Sequence, residues 1–182
     1  MRKFVPFVAV ALFAAAPVQA QNTCTVADAA GSTVSCTVGT TLSMTVPSIM
    51  QLTLGGTTVS LAAPANIAAF SAAGVDTTVT TGPTFSVRSN RSYRVQISAD
   101  NGTFSHTAQN GAATYAKPIA DLAWTVDAGS YVAITETPAD IGNGTAVNSS
   151  ANKTVSYRTL YDITKDQPGA YSLGVTFTLV AP

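Results

Sequence analysis

Tyr171-Ser172-Leu173-Gly174-Val175-Thr176-Phe177-Thr178-Leu179 places an apolar side chain at every second position. A period of two sends alternate side chains to opposite faces of a pleated strand, so the stretch predicts a strand with one face buried and one wet. The same alternation recurs in residues 41–46 and in residues 93–97. Further strands are expected at 32–38, 51–54, 57–61, 77–80, 84–88, 121–126, 131–135 and 154–160. The chain holds 27 threonines, and Thr and Val dominate these runs. Both are β-branched, and both suit a half-buried pleated surface.

Turn signals fall between nearly all of these runs: Gly55-Gly56, Gly82-Pro83, Ser89-Asn90-Arg91-Ser92, Asn101-Gly102, Asn110-Gly111, Gly142-Asn143-Gly144 and Gln167-Pro168-Gly169. The single helix candidate, residues 64–73, is short and Ala-rich, and suits one turn or a loop over the end of a sheet stack. Parallel sheets need helical crossovers, so many short strands with almost no helix predict an all-β, antiparallel sandwich.

The N-terminus reads as an export signal. Met1-Arg2-Lys3 is a short positive region, residues 4–16 are apolar, and Val18-Gln19-Ala20 is a small-x-small site that places cleavage before Gln21. The apolar run is shorter than a bilayer span and is interrupted by Pro6 and bounded by Pro17. Residues 1–20 are therefore expected to leave as a signal peptide, and residues 21–182 to form a single β-sandwich domain without a transmembrane segment, secreted, periplasmic or at the cell surface. Without Arg2 and Lys3, seven cationic side chains face nine acidic ones. That balance argues against nucleic acid as a partner. Charged residues make up 10% of the chain against about 25% in an average domain, with 46% hydrophobic, so a buried core is expected.

Cys24 and Cys36 are the two cysteines. In an oxidising compartment they predict a disulfide, and Asp28-Ala29-Ala30-Gly31-Ser32 between them offers the turn of a stapled N-terminal hairpin.

Asp166-Gln167-Pro168-Gly169-Ala170-Tyr171 sets an acidic residue and a Pro-Gly turn before a tyrosine that opens a strand. This resembles the tyrosine corner of immunoglobulin-like sandwiches, in which the phenol bonds back to the backbone. Residues 87–95, a strand, a Ser-Asn turn, an aromatic and a second strand, look like a unit of exported bacterial sandwich domains, and residues 168–179 look like their closing strand. The resemblance covers residues 80–182 and implies an immunoglobulin-like fold of the kind found in pilus-like subunits, surface layers and adhesins. The antibody-type core bridge is missing, because both cysteines lie far ahead of Trp124. Pilus subunits assembled by chaperones lack one strand and carry an N-terminal donor arm. Residues 41–46 alternate as a donor does, but a stapled hairpin before them works against insertion and the last strand reads as complete, so a self-complete sandwich is expected.

Catalytic chemistry finds little support. His106 is the only histidine and Glu136 the only glutamate, and no G-x-S-x-G elbow or calcium-loop pattern is present. No catalytic residue, metal ligand or cofactor is therefore assigned, and His106 is expected on a surface loop. Trp124 shares its face with Leu122 and is expected in the core, not as a sugar platform. Arg88, Arg91 and Arg94 form the densest cationic group. A hairpin turn at residues 89–92 would set them together as a small patch suited to an anionic glycan or to discouraging edge-to-edge aggregation. Five Asn-x-Ser/Thr sites, at Asn90, Asn101, Asn143, Asn148 and Asn152, are expected to be exposed. The reading as a whole is a secreted structural or cell-surface protein, not an enzyme, that partners itself, other envelope proteins or glycans. The alternative is a glycan-binding adhesin.

Overall fold

A computed structural model describes residues 38–182. The chain divides into two units, Met1–Val46 and Pro47–Pro182. Of the first, residues 38–46 are described: they carry no regular secondary structure and are exposed throughout. The expected Cys24–Cys36 bridge and its hairpin lie outside the described residues. No helix among the described residues is long and apolar enough to cross a membrane.

The second unit is all-β, with every pairing antiparallel. Its strands are β1 (Met50–Leu54), β2 (Val75–Ser89), β3 (Tyr93–Ala99), β4 (Ser105–Ala108), β5 (Leu122–Val126), β6 (Val132–Ala133), β7 (Ala139–Gly144), β8 (Lys153–Asp162), β9 (Gly169–Ser172) and β10 (Val175–Val180). They form a five-stranded sheet in the order β1-β2-β8-β5-β6, a three-stranded sheet β10-β3-β7 and a pair β4-β9. Helix is confined to two 3-10 turns, Ile67–Ala69 and Ile119–Asp121. The first falls inside the one helix candidate, with the Asn66 carboxamide accepting from the Ala68 N–H at 2.9 Å.

The two larger sheets share one core. Phe85, Val87, Trp124, Val155 and Tyr157 enter it from the five-stranded sheet, and Tyr93, Val95, Ile97 and Ile141 from the three-stranded one. β3 follows its sequence pattern, with Tyr93, Val95, Ile97 and Ala99 buried while Arg94 between them is exposed. Trp124 is a core residue, as its parity with Leu122 predicted. All five asparagines of the Asn-x-Ser/Thr sites are exposed.

Residues 41–46, expected as a strand, carry no regular secondary structure, and the expected breaks and strands differ in four further places. Residues 77–80 and 84–88 belong to one strand, β2, and the Gly82-Pro83 signal marks a register shift between Thr81 and Thr84 instead of a turn. A bulge absorbs the proline, which has no N–H for the ladder. A Cβ at Gly82 would lie 2.6 Å from the Tyr157 ring, so the small residue lets that ring cross the strand. Residues 142–144, read as a turn, are the end of β7. Gly144 pairs with Tyr93, and a Cβ there would stand 2.7 Å from the Tyr93 hydroxyl. The alternating stretch 171–179 is two strands, β9 on β4 and β10 on β3. Its interruption at Leu173-Gly174 is satisfied by Asp100 N–H, which donates to Gly174 O at 2.9 Å. Residues 57–61 pair with nothing, although Val59 and Leu61 pack against the core.

Candidate functional site

β1 and β10 end their respective sheets, and each has one unpaired side. Their inward residues, Met50, Leu52 and Leu54 on β1 and Val175, Phe177 and Leu179 on β10, are only partly buried. Beside them opens a cleft of about 1100 Å³. Its apolar wall includes Leu54, Val59, Leu61, Phe104, Val175 and Phe177. Several half-buried large apolar side chains at one opening are unusual for a monomer, whose exposed apolar residues are normally scattered.

The rim formed by residues 56–64 is held by a few specific bonds. Ala62 N–H donates to Thr80 Oγ1 at 2.8 Å, and Ala62 O accepts from Thr78 Oγ1 at 2.6 Å and from Tyr161 Oη at 2.9 Å. Burial raises the Tyr161 phenol above its ordinary pKa. Tyr157, deeper on the same strand, is pushed up to about 12 by burial. Both hydroxyls therefore stay protonated and uncharged at neutral pH.

One end of the cleft is ionic. Lys117 Nζ donates to Asp166 Oδ2 at 2.8 Å and Oδ1 at 3.0 Å, to Asp121 Oδ2 at 3.0 Å and to Leu160 O at 2.7 Å. The lysine side chain is only 3% exposed. Burial by itself would lower its pKa, but the hydrogen bonds and charges of Asp166 and Asp121 outweigh that and hold it above the usual lysine value. The Tyr161 ring lies 5.1 Å from the ammonium. Three separated segments thus meet at Lys117: the turn at Ile119–Asp121, the end of β8, and the β8-to-β9 connection.

At that connection Tyr171 Oη donates to Gln167 O at 2.7 Å, the backbone bond expected of a corner tyrosine. His106 stacks on Tyr171, with ring centroids 4.2 Å apart and planes at 10°. Instead of lying on a surface loop, His106 is half-buried in β4, and its Nδ1 accepts from the Tyr115 N–H at 3.0 Å. Its Nε2 is buried without a partner.

The arginines do not gather as a hairpin would bring them. Residues 89–92 cross between sheets: Arg88 is on β2 in the five-stranded sheet and Arg94 on β3 in the three-stranded one. Arg88 bonds the Asn148 carbonyl at 2.8 Å and its side chain at 3.2 Å, Arg94 pairs with Asp140 at 3.4 Å, and Arg91 reaches Pro182 O at 3.5 Å. Among the described residues no group of three or more His, Cys, Asp or Glu is placed to hold a metal ion. Sequence reasoning missed the Lys117 cluster. In the sequence Asp166 stands out only as the acidic residue of the corner-tyrosine motif, and no local pattern ties it to a lysine 49 positions away. No family model and no curated protein matches this chain.

Proposed function

We propose that this protein is a secreted, immunoglobulin-like subunit of a cell-surface assembly, and that residues 38–46 of one copy add as a strand into the cleft of the next. The observation that carries the reading is the cleft itself, an apolar opening lined in part by Leu54 of β1 and by Val175 and Phe177 of β10, the strands that end the two larger sheets on one side. A strand added there gives the unpaired N–H and C=O groups partners and covers Leu54, Val175 and Phe177.

The occupant is argued from the chain's own sequence. Val38, Leu42, Met44 and Val46 share one parity and are all exposed, Leu42 at 91% and Met44 at 86%. Nine extended residues span about 30 Å, ample for the six residues of β10. Such a segment is costly to leave in water and matches an alternating apolar groove. The sequence alone favours a self-complete sandwich on two grounds, a stapled hairpin ahead of residues 41–46 and a last strand that reads as complete; the hairpin lies outside the described residues, and the partly buried inner face of β10 weighs against the second ground. An adhesin built on Trp124 loses support, because that ring is buried in the core.

Light scattering after size exclusion, over a range of concentrations, tests the reading. A ladder of multiples is expected from the native chain and a single protomer mass from Leu42→Asp/Met44→Asp. A native chain that stays monomeric at every concentration overturns it.

A further inference from the structure

We infer that the Asn110-Gly111 turn is a site of spontaneous deamidation, at which Asn110 passes through a cyclic imide to an isoaspartyl or aspartyl residue. The chain carries three Asn-Gly pairs, Asn101-Gly102, Asn110-Gly111 and Asn143-Gly144. A glycine after asparagine sets no side chain beside the main-chain nitrogen that must reach the carboxamide carbon, so all three have the local chemistry. The fold separates them. Ring closure turns the asparagine out of its resting main-chain angles, so it proceeds where the flanking backbone opens at low cost. Asn143 and Gly144 are held in the ladder opposite Arg94 and Tyr93, with the Tyr93 ring against Gly144. Gly102 O accepts from the Ile119 N–H at 3.1 Å, Thr103 bridges Pro118, and a Cβ at Gly102 would stand 3.3 Å from Glu136 Oε2. Asn110 and Gly111, by contrast, are exposed and outside any strand, and the Ala112 N–H closes their turn by donating to Gln109 O at 3.0 Å. Both have positive φ, 52° and 75°, and a Cβ at Gly111 would meet nothing within 4 Å. Opening this turn therefore disturbs no ladder and no packed side chain at the glycine.

The step balances with water as the only co-reactant. The Gly111 N–H gives its proton to solvent hydroxide, and the nitrogen attacks Asn110 Cγ. The bond from Cγ to the carboxamide nitrogen breaks, and that nitrogen leaves as ammonia with a proton returned by water. Water then opens the imide at one of its two carbonyls. Attack at Cγ restores the ordinary main chain with an aspartate side chain. Attack at the main-chain carbonyl leaves the chain running through Cβ and Cγ, an isoaspartate. Either product exchanges a neutral amide for a carboxylate. The isoaspartyl form also lengthens the span between Gln109, whose N–H donates to Pro168 O at 3.0 Å, and Tyr115, whose N–H donates to His106 Nδ1 at 3.0 Å. The change thus lands in the connection that supplies His106 with its partner.

The test is a chymotryptic map of the purified chain, kept in warm, mildly alkaline buffer and sampled over days, beside the same chain in denaturant. Cleavage after Tyr93, Phe104, Tyr115, Tyr131 and Tyr157 puts the three asparagines in separate peptides, residues 94–104, 105–115 and 132–157. In the folded chain, residues 105–115 are expected to gain one mass unit and to split into two species of that mass, one of them a substrate for an isoaspartyl methyltransferase. The other two peptides are expected to gain it at least about tenfold more slowly, and the three rates to converge in denaturant. Asn110→Asp is expected to show no gain in residues 105–115. Equal rates in the folded chain overturn the proposal, as does a gain led by either of the other peptides, no gain in residues 105–115, or a difference that persists undiminished in denaturant.

Discussion

The two sides of the core differ in how far they are finished. On the side of β3, β5 and β8, strand after strand supplies fully enclosed residues: Val95 and Val155 are at 0% exposure and Ile97 at 1%. On the side of β1 and β10, side chains of similar size and chemistry stop half-covered. Sequence patterning is equally good in both places, so the difference lies in neighbours. β2, β3, β5 and β8 each have a strand on both sides, whereas β1 and β10 have one. Alternation dictates which face turns inward; it does not supply the partner that covers it.

Truncations on the two sides break or sharpen that contrast. Ile97→Ala opens a sealed cavity and is expected to lower unfolding stability by about 2–5 kcal/mol in denaturant titration. Phe177→Ala is expected to cost less than half as much in the monomer and, if strand addition occurs as proposed, to weaken the light-scattering ladder. Equal costs for the two substitutions would mean that the β10 side is as closed as the other.

Tyr171→Phe removes the hydroxyl that Gln167 O accepts and should cost about 0.5–1.5 kcal/mol by the same titration. A loss above that range would show that the His106 stack depends on the hydroxyl as well.

The smallest effect is an acid one. Asp127 is held below its ordinary pKa of 3.8, first by the Thr154 N–H and then by Lys153. Asp162 is held well below the same value by Lys165 and by the side chain and N–H of Thr164. A depressed carboxyl stabilises the fold above its unfolded pKa and loses that contribution as pH falls through the folded value. Thermal unfolding followed across pH 2–5 should therefore fall with acid from about pH 4 downward, and Asp127→Asn/Asp162→Asn should flatten the slope. Both pairs reach solvent through their lysines, Lys153 at 43% and Lys165 at 64% side-chain exposure, so the change is expected to be slight.

How much was legible follows the same physics. β3 could be read directly, because it is paired on both sides and its strict alternation has one outcome there; β5 and β8 were found as strands, but β5 buries four residues in a row and β8 turns Thr159 inward and Leu160 outward. β7 was hidden by Gly142 and Gly144, which look like a turn until the Tyr93 ring beside Gly144 is known. Residues 57–61 alternate convincingly, but Val59 and Leu61 find apolar cover at the cleft without joining a ladder. The hairpin assumed at residues 89–92 is not formed, because a four-residue turn can close a hairpin or cross between sheets, and local sequence does not distinguish the two. The cleft depends on which strands end up at the edges, and the Lys117 cluster on three segments brought together by the fold; both are properties of topology.

The long strand β2 carries a mechanical consequence. It pairs with β1 through five residue pairs and with β8 through nine, and the hydrogen bonds of both ladders run across the strand direction. A pull applied along β2 shears those bonds together instead of opening them one by one, and the Gly82-Pro83 bulge divides the β8 ladder into two stretches that must yield separately. A stretched domain therefore fails late and in steps, and the first step is set by the shortest stretch, Thr84 and Phe85 against Thr154 and Lys153.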